Sequence, residues 1–352
     1  MSTTHATPNT MVRWHWLVAP RFDLFFIVGL VTLSILTAYT VVFFPNLFLP
    51  ILILDLWFLG YHHVISTYTR LCFDKQSFQQ HKWMIFGLLP AVAVATLAVA
   101  YFVGMWAIIT IYFYWQWFHY TRQSWGVSRA YRAKDKDAVY EDGWLDQAIF
   151  YSVPFLGILY RSYQDPDTFI TFELWVVPVA SWMVNIVALA TVALLGYWVL
   201  RRGQAWLEGR LNATHMLYVL SHITIFGVGY IVIEDVTYGW LAINIWHNAQ
   251  YILFVWMFNQ KRFKSGLDPK ARFLSYISQP GRLWLYMTVC LGLTILLYTT
   301  VFRTLDSLLI GGLAGTLVTY QIVNFHHYLV DSFIWKVRSE PMRKTLDLQQ
   351  IH

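Results

Sequence analysis

Histidines inside apolar segments are the residues of this 352-residue chain that point most directly to chemistry. An ionisable side chain is expensive in such a segment and needs a partner or a function. Seven of the twelve histidines lie there, namely His62, His63, His119, His222, His247, His326 and His327. Neutral imidazole binds iron, copper and zinc, whereas calcium and magnesium prefer oxygen. The pattern predicts a metal site inside a membrane protein.

Helical spacing brings polar side chains to these histidines. Asn324, His327 and Asp331 follow steps of three and four residues, so we expect them on one helical face. Asp331 is predicted to bind the metal, or to accept a hydrogen bond from a ligating imidazole. Asp55 precedes His62 by seven residues and is expected on the same face. The side chains expected to support the ligands are Asp55, Gln116, Asn244, Asn248, Tyr251 and Asn324.

Composition places the chain in a membrane. Hydrophobic residues make up 57% and charged residues only 12%, against roughly 25% charged residues in a soluble domain. The net charge of +6 fits cytoplasmic loops better than a nucleic-acid surface. Cys72 and Cys290 show no disulfide or zinc spacing. The first 20 residues lack the pattern of a cleavable signal peptide.

Runs of about 20 apolar residues predict membrane spans. We predict an all-α, polytopic transmembrane helical bundle in which residues 1–352 form one integral membrane domain. The ten predicted spans are 22–44, 47–70, 84–103, 105–125, 145–161, 175–200, 214–233, 237–259, 283–302 and 307–336. A tight turn near Gly104 separates the third span from the fourth. Residues 1–21 and 337–352 are expected to be a cytoplasmic N-terminal segment and a cytoplasmic C-terminal tail.

Charge predicts the orientation independently. With ten spans, all Lys and Arg residues except Arg161 and Arg303 fall on the side that holds both termini. Positive loops stay in the cytoplasm, so both termini should be cytoplasmic, in a cytoplasmic (inner) membrane. His63 then lies roughly 10 Å from Arg70 along its helix, and His327 roughly 13 Å from Lys336. The metal site is therefore expected in the cytoplasmic half of the bilayer.

A layer of histidines near one face of a helical membrane protein resembles the membrane-bound fatty acid desaturases, hydroxylases and alkane monooxygenases. The resemblance rests on His62-His63, Phe325-His326-His327-Tyr328 and the isolated histidines, without the HxxxH and HxxHH motifs of that superfamily. It implies two non-haem irons, activation of O₂, attack on a C–H bond of a lipid-like substrate and a cytoplasmic electron donor. Membrane carotenoid-cleaving dioxygenases, which also hold iron with intramembrane histidines, are similar in the same way.

The sequence therefore predicts a membrane-bound, O₂-dependent non-haem iron oxidoreductase acting on an apolar or lipid substrate by hydroxylation, desaturation or cleavage. Seven histidines and one aspartate exceed the four ligands of a single zinc, which favours two irons, or one metal with supporting groups. No nucleotide or flavin motif is present, so a ferredoxin-like donor would dock on the basic loops. The alternatives are an electron-transfer protein with bis-His haem and a metal or proton transporter.

Overall fold

The chain is an all-α helical bundle with one very short β-hairpin. The computed structural model describes residues 12–135, 143–308 and 315–348. In chain order the helices are α1 (Pro20–Phe43), α2 (Pro45–Cys72), α3 (Lys75–Phe102), α4 (Met105–Ala133), α5 (Gly143–Gln164), α6 (Ser181–Leu207), α7 (Ala213–Val232), α8 (Val236–Arg262), α9 (Arg272–Ile277), α10 (Leu283–Leu308), α11 (Gly315–Ile334) and α12 (Glu340–Leu346). Between α5 and α6, strands β1 (Thr168–Phe169) and β2 (Phe172–Glu173) pair antiparallel.

Each of the ten predicted spans overlaps one of these long helices. Six helices of the described chain, α1, α2, α3, α6, α7 and α10, are long and apolar enough to cross a membrane. These helices make the protein an integral membrane protein. The count of ten spans and the placement of both termini stay predictions.

The four other long helices, α4, α5, α8 and α11, are less apolar because they carry polar residues toward the interior. Gln116 and His119 on α4 are buried, as are Asn244 and His247 on α8. A polar side chain lowers the hydropathy of its segment although it faces protein rather than lipid. The polar side chains of these helices thus face the interior of the bundle.

Two of the predicted span boundaries are wrong. The sixth span was expected to begin at residue 175, but α6 begins at Ser181. The preceding residues are extended, and the backbone N–H groups of Trp175 and Val177 donate to Thr110 and Tyr114 of α4. The tenth span was expected from residue 307, but α10 continues through Leu308 and α11 begins at Gly315. Residues 309–314 lie outside the described residues.

Several helices contain a π-helical turn, which holds one extra residue. Within α2 this turn spans Leu56–Gly60 and is followed directly by Tyr61, His62 and His63. One added residue rotates everything after it by about 100° relative to an uninterrupted α-helix. The turn therefore changes which of the paired histidines shares a face with Asp55.

Helix α8 lies at the centre and is buried without interruption from Gly239 to Asn248. It packs against α1, α2 and α7. Its closest approach is to α7, where a Cβ placed on Gly239 would lie 1.9 Å from the carbonyl oxygen of Gly229. Glycine at both positions lets the two backbones touch. The site-bearing face of α8 is held in place by this contact.

Candidate metal centre

Four histidines from four different helices meet in the interior of the bundle. They are His63 on α2, His119 on α4, His247 on α8 and His327 on α11, and all are buried. The ring centroid of His327 lies 4.7 Å from that of His63 and 5.0 Å from that of His119. The ring of His247 lies 5.4 Å from His63 and 5.2 Å from His119. The four imidazoles thus close a ring around one point.

Within the described residues, these imidazoles have buried nitrogen atoms without hydrogen-bond partners. Both ring nitrogens of His63 lack a hydrogen-bond partner, as does Nε2 of His119, His247 and His327. A buried polar atom without a partner is unfavourable and rare in native proteins. A metal ion held between the rings could bind one such nitrogen from each imidazole.

Asp331 adds a carboxylate oxygen to the cluster. Its Oδ2 lies 3.6 Å from Nε2 of His327, one helical turn away, and accepts no hydrogen bond from the described residues. Its Oδ1 accepts hydrogen bonds from the hydroxyl of Tyr251 at 2.8 Å and from Thr67 at 3.1 Å. One oxygen is therefore held by the protein while the other is left for a metal.

Thr67 fixes the orientation of His327. Its Oγ1 lies 2.9 Å from Nδ1 of His327 and also contacts the hydroxyl of Tyr251. Because Thr67 gives its proton to Asp331, it accepts one from Nδ1 of His327. The lone pair of that imidazole is then on Nε2, which faces the cluster, as metal-binding histidines require.

Two overlapping groups of donor atoms could each hold a metal ion. One consists of His63, His247 and His327, and the other of His119, His327 and Asp331. In each group the donor atoms lie within 4.8 Å of one another. His327 belongs to both, so the five residues form one continuous centre.

Three of the predicted histidines, His62, His222 and His326, lie outside this centre. His222 bonds with Ser124 and with the carbonyl of Phe150, both at 3.0 Å. His326 contacts the Tyr68 hydroxyl at 2.5 Å and donates to the carbonyl of Met84 at 2.8 Å. Neither ring keeps a lone pair for a metal.

His62 is buried, but in the described part of the chain its ring does not belong to the cluster of four imidazoles. Its Nδ1 is 3.2 Å from the backbone carbonyl oxygen of Phe58. The extra residue in the π-helical turn explains this placement, because it brings His63, eight residues after Asp55, to the face expected for His62. The expectation that Asp55 and His62 share a face is corrected accordingly.

Asp55 and Asn244 support the cluster from one side through a chain of hydrogen bonds. The amide of Asn244 donates to Oδ2 of Asp55 at 2.5 Å and accepts from the Tyr120 hydroxyl at 2.7 Å. The ring of Tyr120 in turn packs on His247, with centroids 4.0 Å apart. The orientation of His247 thus depends on three side chains behind it.

The remaining predicted supporting residues differ in whether they connect to the four imidazoles. Asn324 donates to the hydroxyl of Tyr328, whose ring stacks on His119 at 4.0 Å. Gln116 accepts from the indole of Trp240 at 2.6 Å, and Asn248 is fully buried beside Gly60. Asn324 therefore reaches a ligand through one residue, whereas no contact of Gln116 or Asn248 with the four imidazoles is seen among the described residues.

Sequence reasoning did not select Thr67, Tyr120 and Tyr328. Thr67 follows His63 by four residues and so lies on the same helical face, which is a signal the spacing contains. Tyr120 and Tyr328 each follow a histidine in the sequence, but each ring stacks on a histidine of a different helix. Their roles depend on which helices are neighbours, so the sequence gives no sign of them.

A cavity of about 520 Å³ connects the cluster to the protein surface. At its buried end lie His119, Tyr251, Tyr328 and Asp331. Its volume falls within the roughly 300–1,000 Å³ of small-molecule sites. A substrate can therefore approach the centre from the side of His119 and Asp331.

Comparison with protein-family models, with curated proteins and with solved structures finds no match for this chain. The resemblance to the membrane-bound iron oxygenases therefore has no support beyond the residues described above. The assignment of the centre depends on its own donors, distances and burial.

Proposed function

We propose that His63, His119, His247, His327 and Asp331 bind a metal ion, and that the protein is a membrane-bound non-haem iron oxidoreductase. The observation that carries the proposal is the convergence of buried, unpartnered imidazole nitrogens from four helices. Without a metal, each of these rings would need a hydrogen-bond partner of its own inside the protein. One ion could bind one nitrogen of each ring.

The donor set supports iron. His119, His327 and Asp331 supply two imidazoles and one carboxylate, which is the ligand set of many non-haem Fe(II) oxygenases. Zinc in structural sites takes four closed ligands, often thiolates, and no cysteine belongs to either donor group of the described chain. Because both groups share His327, we propose one ion in place of the pair favoured by the sequence pattern.

The chemistry that iron would supply is activation of O₂ for oxidation of a C–H bond. Insertion of one oxygen atom into C–H, with reduction of the other to water, consumes two electrons and two protons from a reductant. We propose that a ferredoxin-like donor supplies the electrons from the cytoplasm, and that the substrate is an apolar or lipid-like molecule.

The protein's own residues position and shield the centre. Thr67 and Tyr251 hold Asp331, and Tyr120 and Tyr328 pack on two of the imidazoles. These aromatic rings exclude water from the sides of the site. The cavity provides an approach to the centre, so we propose that the oxidised molecule binds there.

Metal analysis of the detergent-purified protein tests this proposal with a matched pair of variants. We expect about one iron per chain in the wild type and in His326→Ala, because His326 is hydrogen-bonded elsewhere. We expect at least a tenfold loss of iron in His327→Ala, since loss of supporting residues alone costs 10–100-fold in affinity. Both histidines are buried neighbours on α11, so general destabilisation would affect the two variants alike.

Three results would overturn the proposal. Equal iron content in both variants would exclude the cluster as the ligand set. Stoichiometric zinc in place of iron would exclude oxidation chemistry at the centre. A Soret band in the optical spectrum would show haem instead.

A further inference from the structure

The cavity that reaches the metal centre has a positively charged rim. Arg122, Lys336 and Arg338 line it and are exposed, and Arg129 lines it while half-buried. Asp331 is the one acidic residue among its described lining residues, and it lies at the buried end. Negative charge is thus confined to the metal centre and positive charge to the opening.

The rim cations are not neutralised by neighbouring carboxylates in the part of the chain that the structure describes. None of the four takes part in an ion pair between described residues. Burial, together with the guanidinium groups of Arg132 and Arg338, lowers the pKa of Arg129. Several cations held close together, with their charge uncompensated, form an attractive site for an anion.

The walls between the rim and the metal centre are aromatic. They are formed by Trp115, Phe118, Trp125, Tyr151, Phe254 and Trp335. Aromatic side chains of this kind cover the apolar surface of a ligand. The cavity therefore offers an anion site at one end and an apolar body leading to His119 at the other.

We propose that the cavity binds a single-chain amphipathic molecule with an anionic head group, the head group resting on the Arg and Lys rim. The apolar part of the molecule extends along the aromatic walls toward His119 and Asp331. The inference rests on the proposed function, because it names the substrate class of the same centre. A carboxylate and a phosphate head group share the chemistry that the rim recognises.

Quenching of tryptophan fluorescence tests the proposal, since Trp115, Trp125 and Trp335 line the cavity. The probes are palmitate, 1-palmitoyl lysophosphatidate and uncharged hexadecanol, added to protein in a non-ionic detergent. We expect at least one of the two anions to bind about tenfold more tightly than hexadecanol, as charge-assisted hydrogen bonds allow. The tighter of the two anions identifies the head group.

A pair of charge-matched double variants locates the binding site. Arg122→Gln with Arg338→Gln should remove the preference for the anion. Lys264→Gln with Arg272→Gln removes two exposed cations that do not line the cavity, and should keep that preference. Equal loss in both double variants, or equal binding of hexadecanol and both anions in the wild type, would overturn the proposal.

Measurements of iron binding and of anion preference on the same protein separate this inference from the proposed function. Anion preference in a protein that takes up no iron when Fe(II) is supplied supports the cavity site and refutes the iron centre. Iron bound stoichiometrically without anion preference refutes the cavity site alone. The rim could instead bind an acidic electron donor. In that case the Arg122 and Arg338 changes would weaken ferredoxin binding and leave palmitate binding unchanged, and this result would also overturn the proposal.

Discussion

Thr67 and Tyr251 show how a buried site can keep donor atoms free for a ligand. Their hydroxyls occupy Oδ1 of Asp331 and Nδ1 of His327, and leave Oδ2 and Nε2 facing the cluster. The indole of Trp335 donates to Tyr251 at 2.8 Å and fixes that hydroxyl in turn. Asp331 and His327 are thus each held from behind by a hydroxyl group, while their second donor atom faces the centre.

His63 and His62 provide a prediction at the scale of single residues. Both are buried neighbours on α2, but only His63 has its ring in the cluster. We expect His63→Ala to lose iron at least about tenfold, and His62→Ala to keep it. Metal analysis by mass spectrometry checks the difference in purified samples.

The pair controls for folding, because each change removes one buried imidazole from the same helix turn. After iron is removed from both, thermal unfolding of the two variants should be similar. Iron loss in His62→Ala with retention in His63→Ala would contradict the π-helical placement of α2.

That pair also shows what the sequence could predict at the scale of elements. Apolar runs about 20 residues long located all ten long helices, and three- and four-residue steps located the shared face of His327 and Asp331. The π-helical turn at Leu56–Gly60 was not predictable, because Leu-Trp-Phe-Leu-Gly contains nothing that favours it over an α-helical turn. Asp55 was therefore matched with His62 instead of His63.

The selection of the four clustered histidines from the seven needed knowledge that local periodicity does not contain. His222 and His326 look equivalent to His247 and His327 in sequence, since each lies in an apolar helix. In the structure, however, His222 and His326 form hydrogen bonds with backbone carbonyls of α5 and α3, so their rings are not part of the cluster. Those partners depend on which helices are neighbours, which only the folded structure shows.

The glycine contact between α7 and α8 provides a prediction at the scale of helix packing. Alanine at Gly239 would place its Cβ 1.9 Å from the backbone oxygen of Gly229, which cannot move as a side chain can. We expect Gly239→Ala to destabilise the protein by about 1–3 kcal/mol through overpacking. Since α8 carries His247, iron content should fall as well.

Gly227→Ala is the matched control, because a Cβ at Gly227 would meet nothing within 4 Å. Both changes add one methyl group to a helical glycine near the same contact. Thermal unfolding in detergent, measured side by side, should separate them. Equal melting temperatures would show that the close approach of α7 and α8 does not limit stability.

At the scale of the whole molecule, the charge segregation predicted from ten spans has two exceptions, and one of them has a structural explanation. Arg161 is fully buried, whereas the other exception, Arg303, is exposed. The Arg161 guanidinium donates to the carbonyls of Gly229, Ile233 and Glu234 at the end of α7. A cation is favourable at a helix C-terminus, so Arg161 serves packing rather than orientation.

The membrane orientation depends on whether α8 crosses the bilayer. Helices α6 and α7 are apolar enough to span it. Helix α8 does not belong to the group of helices in the described chain that are apolar enough. At 27 residues, α8 is about 40 Å long, which exceeds the roughly 30 Å hydrocarbon core. Its hydropathy is lowered by Asn244, His247 and Asn248, which are buried in protein. We therefore predict that it crosses.

Cysteine labelling from one side of the membrane tests this crossing. Asp167→Cys after α5 and Lys264→Cys after α8 are both at exposed positions, in a background where Cys72 is replaced by Ser. With three crossings between them, an impermeant maleimide applied to intact cells should label only Asp167→Cys. Lys264→Cys should react only after permeabilisation, because it lies on the side predicted to be cytoplasmic. Labelling of both from outside would mean that α8 does not cross the membrane, and would refute the orientation predicted from ten spans.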